Sequence, residues 1–260
     1  MPDSVLRVVH DGATARVTLT RPEVRNAFNA ELIAALRSTF ERLGTDASVR
    51  AIVLDGEGKT FCGGADVNWM RGSLALSEAE NVADAEGMSQ MYRTIDRCPK
   101  PTIASIHGGA LGGGAGLAAV CDIVLSTPET IYGFTETKLG ILPAVISPFV
   151  LAKIGVSHAR ALFLTGERFS AERARAIGLV HEVHEPAELA ARLRAILTEC
   201  ATAGPSAVAA AKSLVHAVRA ASYDESQSLT ARAIAKQRTS AEGQEGLHAF
   251  LEHRPAAWHA

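Results

Sequence analysis

The stretch IHGGALGGGAGLAAVCD, residues 106–122, decides the fold. Gly108, Gly109, Gly112, Gly113, Gly114 and Gly116 stand between an apolar strand-like run, Pro101 to Ile106, and an apolar helix-like run, Leu117 to Val120. Each glycine in a helix interior costs about 0.5–1 kcal/mol relative to alanine, so the cluster needs a steric or chemical reason. A phosphate-cradling loop of the type GxxxxGK[ST] is excluded, because no lysine follows these glycines. A dinucleotide fingerprint is spelled by Gly114, Gly116 and Ala119 with Glu136 downstream, but it lies mid-chain with strands already behind it. Close helix-to-strand packing without a ligand explains one or two glycines and not a run. The remaining reading is a helix mouth whose backbone N–H groups are bared for a ligand oxygen. The first four N–H groups of a helix lack internal partners, and the macrodipole puts about half a positive charge there. A second glycine-rich turn, FCGGADVNWM (61–70), follows the strand-like AIVLDG (51–56) in the same way. Two such amides converging on one oxygen form an oxyanion hole.

Working outward, the N-terminal half alternates strand and helix signals: Val5 to Val9, Ala15 to Leu19, a helical spacing over Ala30 to Leu43, then AIVLDG. That alternation predicts an α/β fold. Asn29 reads as an N-cap and Gly44 as a stop for the first helix. A second helix is expected within Glu78 to Asp96, and short apolar strands over 102–106 and Ile123 to Leu125. Beyond about Pro186 the chain turns alanine-rich and helix-favouring, over 187–201, 205–221, 223–238 and 241–254.

Composition bounds the function. A 260-residue chain with 47% hydrophobic residues can bury a sizeable core, and its formal net charge of −2 offers no global basic field. Nucleic acid and anionic membrane surfaces are therefore poor partners. The four cysteines, Cys62, Cys98, Cys121 and Cys200, form no CxxC pair, and the 9 histidines show no HExxH spacing, so neither a metal nor a disulfide framework is expected. With no secretory-type start in MPDSVLRVVHDGATARV and no membrane-length apolar run, the expected location is cytoplasmic.

Several ordered motifs resemble the crotonase family of enoyl-CoA hydratases and isomerases. RPEVRNAFN (21–29) is similar to its early CoA-contacting segment, FCGGAD (61–66) to its first oxyanion turn, and KPTIASIHGGALGGGAGLAAVCDI (100–123) to its second. TETKLGILPAVISPF (135–149) resembles the segment carrying a catalytic glutamate, followed by LTGERFSAERARAIGLVHEV (164–183); the similarity extends to GLHAFLEHRPAAW (246–258). The resemblance implies a spiral of ββα units over residues 1–190 and a helical trimerisation region over 191–260, assembled as a homotrimer or a dimer of trimers. It implies an acyl-CoA substrate and no separate cofactor, since coenzyme A belongs to the substrate. Gly63 and Gly113 are expected to supply the oxyanion amides and Glu136 the proton-transfer group. Arg25, Ala27, Gly63, Gly64, Ala65, Asp66, Val67, Trp69, Gly109, Gly112, Gly113 and Leu139 are expected along the substrate, with Arg254 a further candidate for CoA phosphate.

One departure matters. Many family hydratases carry a second catalytic glutamate three residues after the second oxyanion glycine, and here that position is Gly116. The loss is expected to open the pocket and to remove a negative charge. Trp69, Met70, Leu139, Ile141 and Val145 are candidate walls, or simple core. The motifs around 61–70 and 136–149 are closest to hydratases of branched, carboxylated enoyl-CoA esters such as 3-methylglutaconyl-CoA or isohexenylglutaconyl-CoA. Hydration is the leading reading; a Δ3–Δ2 isomerase using one glutamate and a non-catalytic acyl-CoA-binding protein are the alternatives. By position alone, Glu136 would be a surface carboxylate paired with Lys138, and His107 could be imagined activating Cys62 as a nucleophile.

Overall fold

The computed structural model describes residues 5–259; Met1 to Ser4, the start of the N-terminal stretch read above, and Ala260 lie outside the described residues. Nine strands and ten α-helices are described in chain order. They are β1 (Leu6–Asp11), β2 (Thr14–Leu19), α1 (Ala30–Thr45), β3 (Ala51–Gly56), α2 (Val67–Ser73), α3 (Glu78–Asp96) and β4 (Thr102–Ile106). Next come β5 (Gly109–Leu111), α4 (Gly113–Val120), β6 (Ile123–Ser126), β7 (Ile131–Gly133), α5 (Ser147–Thr165), β8 (Arg168–Ser170), α6 (Ala171–Ala176) and β9 (Glu182–Val183). The chain closes with α7 (Pro186–Thr202), α8 (Pro205–Ala220), α9 (Tyr223–Arg238) and α10 (Ala241–Leu251).

Six strands form one sheet in the order β1-β2-β3-β4-β6-β9, antiparallel between β1 and β2 and parallel thereafter. A small second sheet, β5-β7-β8, is bridged at Ala110 to Cys62 in the loop that follows β3. Alternation along β3 explains how the large sheet is covered on both faces. Ile52 and Leu54 enter the main core with α1, α3 and α4, while Ala51 and Val53 meet Leu189, Leu193 and Ile196 of α7.

Asn29 caps α1 as its sequence position suggests, accepting from the Leu32 amide at 2.9 Å. Gly44 is no stop, because α1 continues to Thr45 and Gly44 is buried facing Pro99, where a side chain would crowd the ring. The expected division at residue 190 falls inside α7, whose apolar stripe belongs to the sheet. The helices that leave the sheet begin at Pro205, after Gly204. Among them α8 and α9 bury no residue fully, and Val215, Tyr223, Ile234, Phe250 and Leu251 stand exposed. Lys212 ties α8 to the core through a 2.7 Å ion pair with Asp122.

Candidate active site

The two glycine turns are zipped together by main-chain hydrogen bonds. Phe61 N–H donates to the His107 carbonyl (3.1 Å), Cys62 N–H to Gly109 (3.0 Å), and Leu111 N–H back to Cys62 (3.0 Å). Glycine is required where the strands touch. Gly64 has φ +94°, and a Cβ there would lie 2.9 Å from the Leu111 carbonyl oxygen, while one at Gly114 would overlap the Cys62 carbonyl. Gly114 is thus a packing glycine, and Gly114, Gly116 and Ala119 lie inside α4, which removes the dinucleotide reading.

Gly63 does not hold the role expected of it. Gly63 N–H donates to the Arg25 carbonyl at 2.8 Å, so it is not available to a ligand. Phe28 N–H donates to the Gly64 carbonyl (2.7 Å) and Asp66 N–H to the Phe28 carbonyl (2.9 Å), a ladder that leaves the intervening Ala65 N–H without a partner among the described residues. Ala65 is exposed, and it supplies the first turn's open amide in place of Gly63. In the second turn the mouth of α4 presents the open amide. Gly113 is the first residue of α4, and its cap Gly112 has no side chain to offer. The first α4 amide satisfied in this turn is that of Gly116, which donates to the Gly112 carbonyl at 3.1 Å.

Glu136 reaches this helix mouth from the small sheet. Gly112 N–H donates to the Gly133 carbonyl (2.8 Å) at the end of β7, and a short 3-10 helix, Glu136–Leu139, then carries the carboxylate over Gly112. A Cβ at Gly112 would stand 3.2 Å from Glu136 Oε1. The other oxygen, Oε2, is buried with no hydrogen-bond partner among the described residues, and burial pushes the carboxyl above the ordinary glutamate range. An unpaired buried carboxylate oxygen is costly, and such groups concentrate at functional sites. Lys138 is exposed and makes no ion pair with it among the described residues. Leu139, Ile141 and Leu142, exposed at 62%, 54% and 68%, form an apolar rim on the same segment.

The recess expected at Gly116 is filled. A side chain there would overlap Ile146 Cγ2 and lie 3.1 Å from Tyr92 Cε1 and Cζ, so the missing carboxylate leaves no open space. Gly109 is also displaced from its expected role: it is buried in β5, donating to His107 and accepting from Cys62. The Asp66 carboxylate is turned to structural work. It caps α2 at the Asn68 amide (2.8 Å) and pairs with Arg21 Nη2 (2.8 Å). Arg25 is exposed in the left-handed region at φ 57°, whereas Ala27 is buried with its carbonyl bound by Arg21 Nη1. Val67 is exposed at the start of α2, and Trp69 and Val145 are partly buried against the core. Cys62 is buried, which pushes its thiol up to about 12, and His107 Nε2 faces the Gly58 carbonyl instead. Arg254 is held by Glu245 (2.7 and 2.9 Å) and by Glu252 (2.7 Å).

Three residues escaped the sequence reading. Buried Asn26 donates to the Glu57 and Thr60 carbonyls (2.9 and 2.8 Å) and accepts from the Arg21 amide (2.9 Å), pinning the loop before FCGGAD. It sits in the left-handed region at φ 53°, which asparagine tolerates. Arg21 braces both Ala27 and Asp66, and Tyr92, fully buried, donates its hydroxyl to the Gly113 carbonyl at 2.7 Å. A cavity of about 620 Å³, lined by Asp122, Lys153 and Lys212, does not include Ala65, Gly113 or Glu136 in its walls.

Two open amides beside a buried, unpartnered carboxylate make a site that can stabilise a developing oxyanion next to a proton carrier. Residues 10–260 match the family described as enoyl-CoA hydratase/isomerase. The enoyl-CoA hydratase ACTT6 of Alternaria alternata is 37% identical over 221 residues, covering 85% of this chain and 72% of that protein. An enoyl-CoA hydratase structure from Shewanella pealeana superposes with a TM-score of 0.94 at 32% identity, covering 98% of this chain and 96% of its own. An enoyl-CoA hydratase/isomerase from Marinobacter aquaeolei gives 0.93 at 34% identity, covering 98% and 99%. The chain belongs to the enoyl-CoA hydratase/isomerase family.

Proposed function

We propose that the protein is an enoyl-CoA hydratase in which one carboxylate handles both proton events. The observation that carries this reading is Glu136, with its unpartnered Oε2, lying over Gly112 beside the open amides of Ala65 and Gly113. Those amides receive the thioester oxygen, whose negative charge grows as the enolate forms. Ionised Glu136 takes a proton from water as the water oxygen bonds to C3, the π electrons moving onto the thioester oxygen. The same carboxyl then returns the proton to C2 as the enolate collapses, so one water is consumed and the carboxylate is regenerated. A carboxyl raised by burial suits the first of these steps, because its carboxylate is a stronger base toward water than that of an exposed glutamate.

Loss of conjugated-thioester absorbance with enoyl-CoA substrates tests the reading; no loss with any member of a panel rejects it. The panel should hold straight, branched and carboxylated esters, because Gly116 still withholds a negative charge that would repel an acyl carboxylate, as in 3-methylglutaconyl-CoA. The single carboxylate also supports a second reading, a Δ3–Δ2 isomerase that moves one proton from C2 to C4. Labelled solvent oxygen in the product separates the two. The exposed apolar side chains of α8 to α10 support assembly into a trimer or dimer of trimers, which light scattering measures.

A further inference from the structure

The first turn of α4 has little to hold it. Three of its first four residues, Gly113, Gly114 and Gly116, are glycines, each about 1 kcal/mol poorer in a helix than alanine, and Gly112 offers no capping side chain. An oxyanion amide must nevertheless point in a fixed direction, since donors that reorient during the reaction lose most of their value. Tyr92 supplies an outside clamp. Its hydroxyl donates to the Gly113 carbonyl at 2.7 Å, and its ring lies 3.1 Å from where a Gly116 Cβ would stand. The ring is itself fixed between Phe28, edge-on at 6.2 Å between centroids, and Phe149 at 5.9 Å, and it is fully buried.

We propose that Tyr92 is a positioning residue for the oxyanion site, its hydroxyl fixing the first turn of α4 so that the Gly113 N–H faces the thioester oxygen. The assignment deepens the hydratase reading and rests on it. Tyr92 stands where the absent second carboxylate would have reached, so the position exchanges a proton carrier for a clamp.

The test compares wild type, Tyr92→Phe and a protein carrying 3,5-difluorotyrosine at position 92, a stronger donor of nearly the same shape. Each is read by kcat and KM on the best enoyl-CoA and by the red shift of bound 4-(dimethylamino)cinnamoyl-CoA, whose absorption follows polarisation of its thioester carbonyl. Loss of one neutral hydrogen bond is expected to lower kcat about 3- to 10-fold with KM nearly constant, and to reduce the red shift. The difluorinated protein should keep or increase the shift, and it carries the test if Tyr92→Phe fails to fold. A shift and kcat unchanged in both variants, even with lowered thermal stability, would leave Tyr92 as packing alone and overturn the proposal. Wild type that binds the chromophore with no red shift and turns over no enoyl-CoA would instead overturn the proposed function.

Discussion

Replacing Gly116 with alanine asks directly whether the place of the missing carboxylate is open. In an unencumbered helix the exchange stabilises by about 1 kcal/mol. Here the new methyl lies 3.1 Å from two Tyr92 ring carbons and overlaps Ile146 Cγ2, and both side chains are buried, at 0% and 3% exposure. Overpacking a buried site costs about 1–3 kcal/mol. With two rigid neighbours the upper half of that range applies, leaving a net loss of about 1–2 kcal/mol. At roughly 2–4 °C per kcal/mol for a domain of this size, Tm should fall by about 2–8 °C. Ile146→Ala deletes the overlapping methyl; alone it costs about 2–5 kcal/mol, but joined to Gly116→Ala the loss should be smaller than the sum by about 1–2 kcal/mol. Calorimetry of the four proteins at one concentration gives the cycle, concentration being fixed because subunit association shifts Tm. A Gly116→Ala protein as stable as wild type, or strictly additive losses, would refute the filled recess.

Glu136→Gln should lower kcat by about 10²- to 10⁴-fold in the hydration assay. Because burial raises the folded carboxyl above its unfolded value near 4.5, native Glu136 stabilises least once pH has risen through the raised value. Glu136→Gln should therefore match wild-type stability below pH 4.5 and exceed it at neutral pH, as denaturant titrations at the two pH values would reveal. The same shift places the acid limb of the kcat/KM profile above 4.5, and a limb at or below that value would contradict the assignment. Arg21→Met breaks the partly buried pair with Asp66 and should cost about 3–5 kcal/mol in urea unfolding. Native protein should keep its activity through maleimide treatment, because the Cys62 thiol is buried and pushed up to about 12; inactivation traced to Cys62 by mass spectrometry would reopen a thiol mechanism.

What the sequence made legible were signals carried within a few residues. The Asn29 cap, the β-rich run at Ala51 and the helix within Glu78 to Asp96 each depend on local periodicity, and each stands where it was expected. Strands β5, β7 and β8 have only three residues each and are held by pairing to one another, so no local pattern announces them. The amide exchange between Gly63 and Ala65 is of the same kind. Whether an N–H is free depends on where the Arg25 carbonyl turns, and that follows from consecutive left-handed residues, Arg25 and Asn26, in a distant loop. Gly116 shows the limit from the other side. A glycine announces a missing side chain, but Tyr92 from α3 and Ile146 at the start of α5 decide whether anything fills the gap.

A single-atom change to the backbone tests the account at its centre. Lactic acid incorporated in place of Ala65 turns one N–H into an ester oxygen and leaves the side chain intact. Removing that oxyanion donor should lower kcat/KM by about 10²- to 10³-fold. Glycolic acid in place of Gly63, whose N–H is already given to Arg25, should change it only severalfold. The opposite order, a crippled Gly63 ester beside an active Ala65 ester, would contradict the assignment of the oxyanion site.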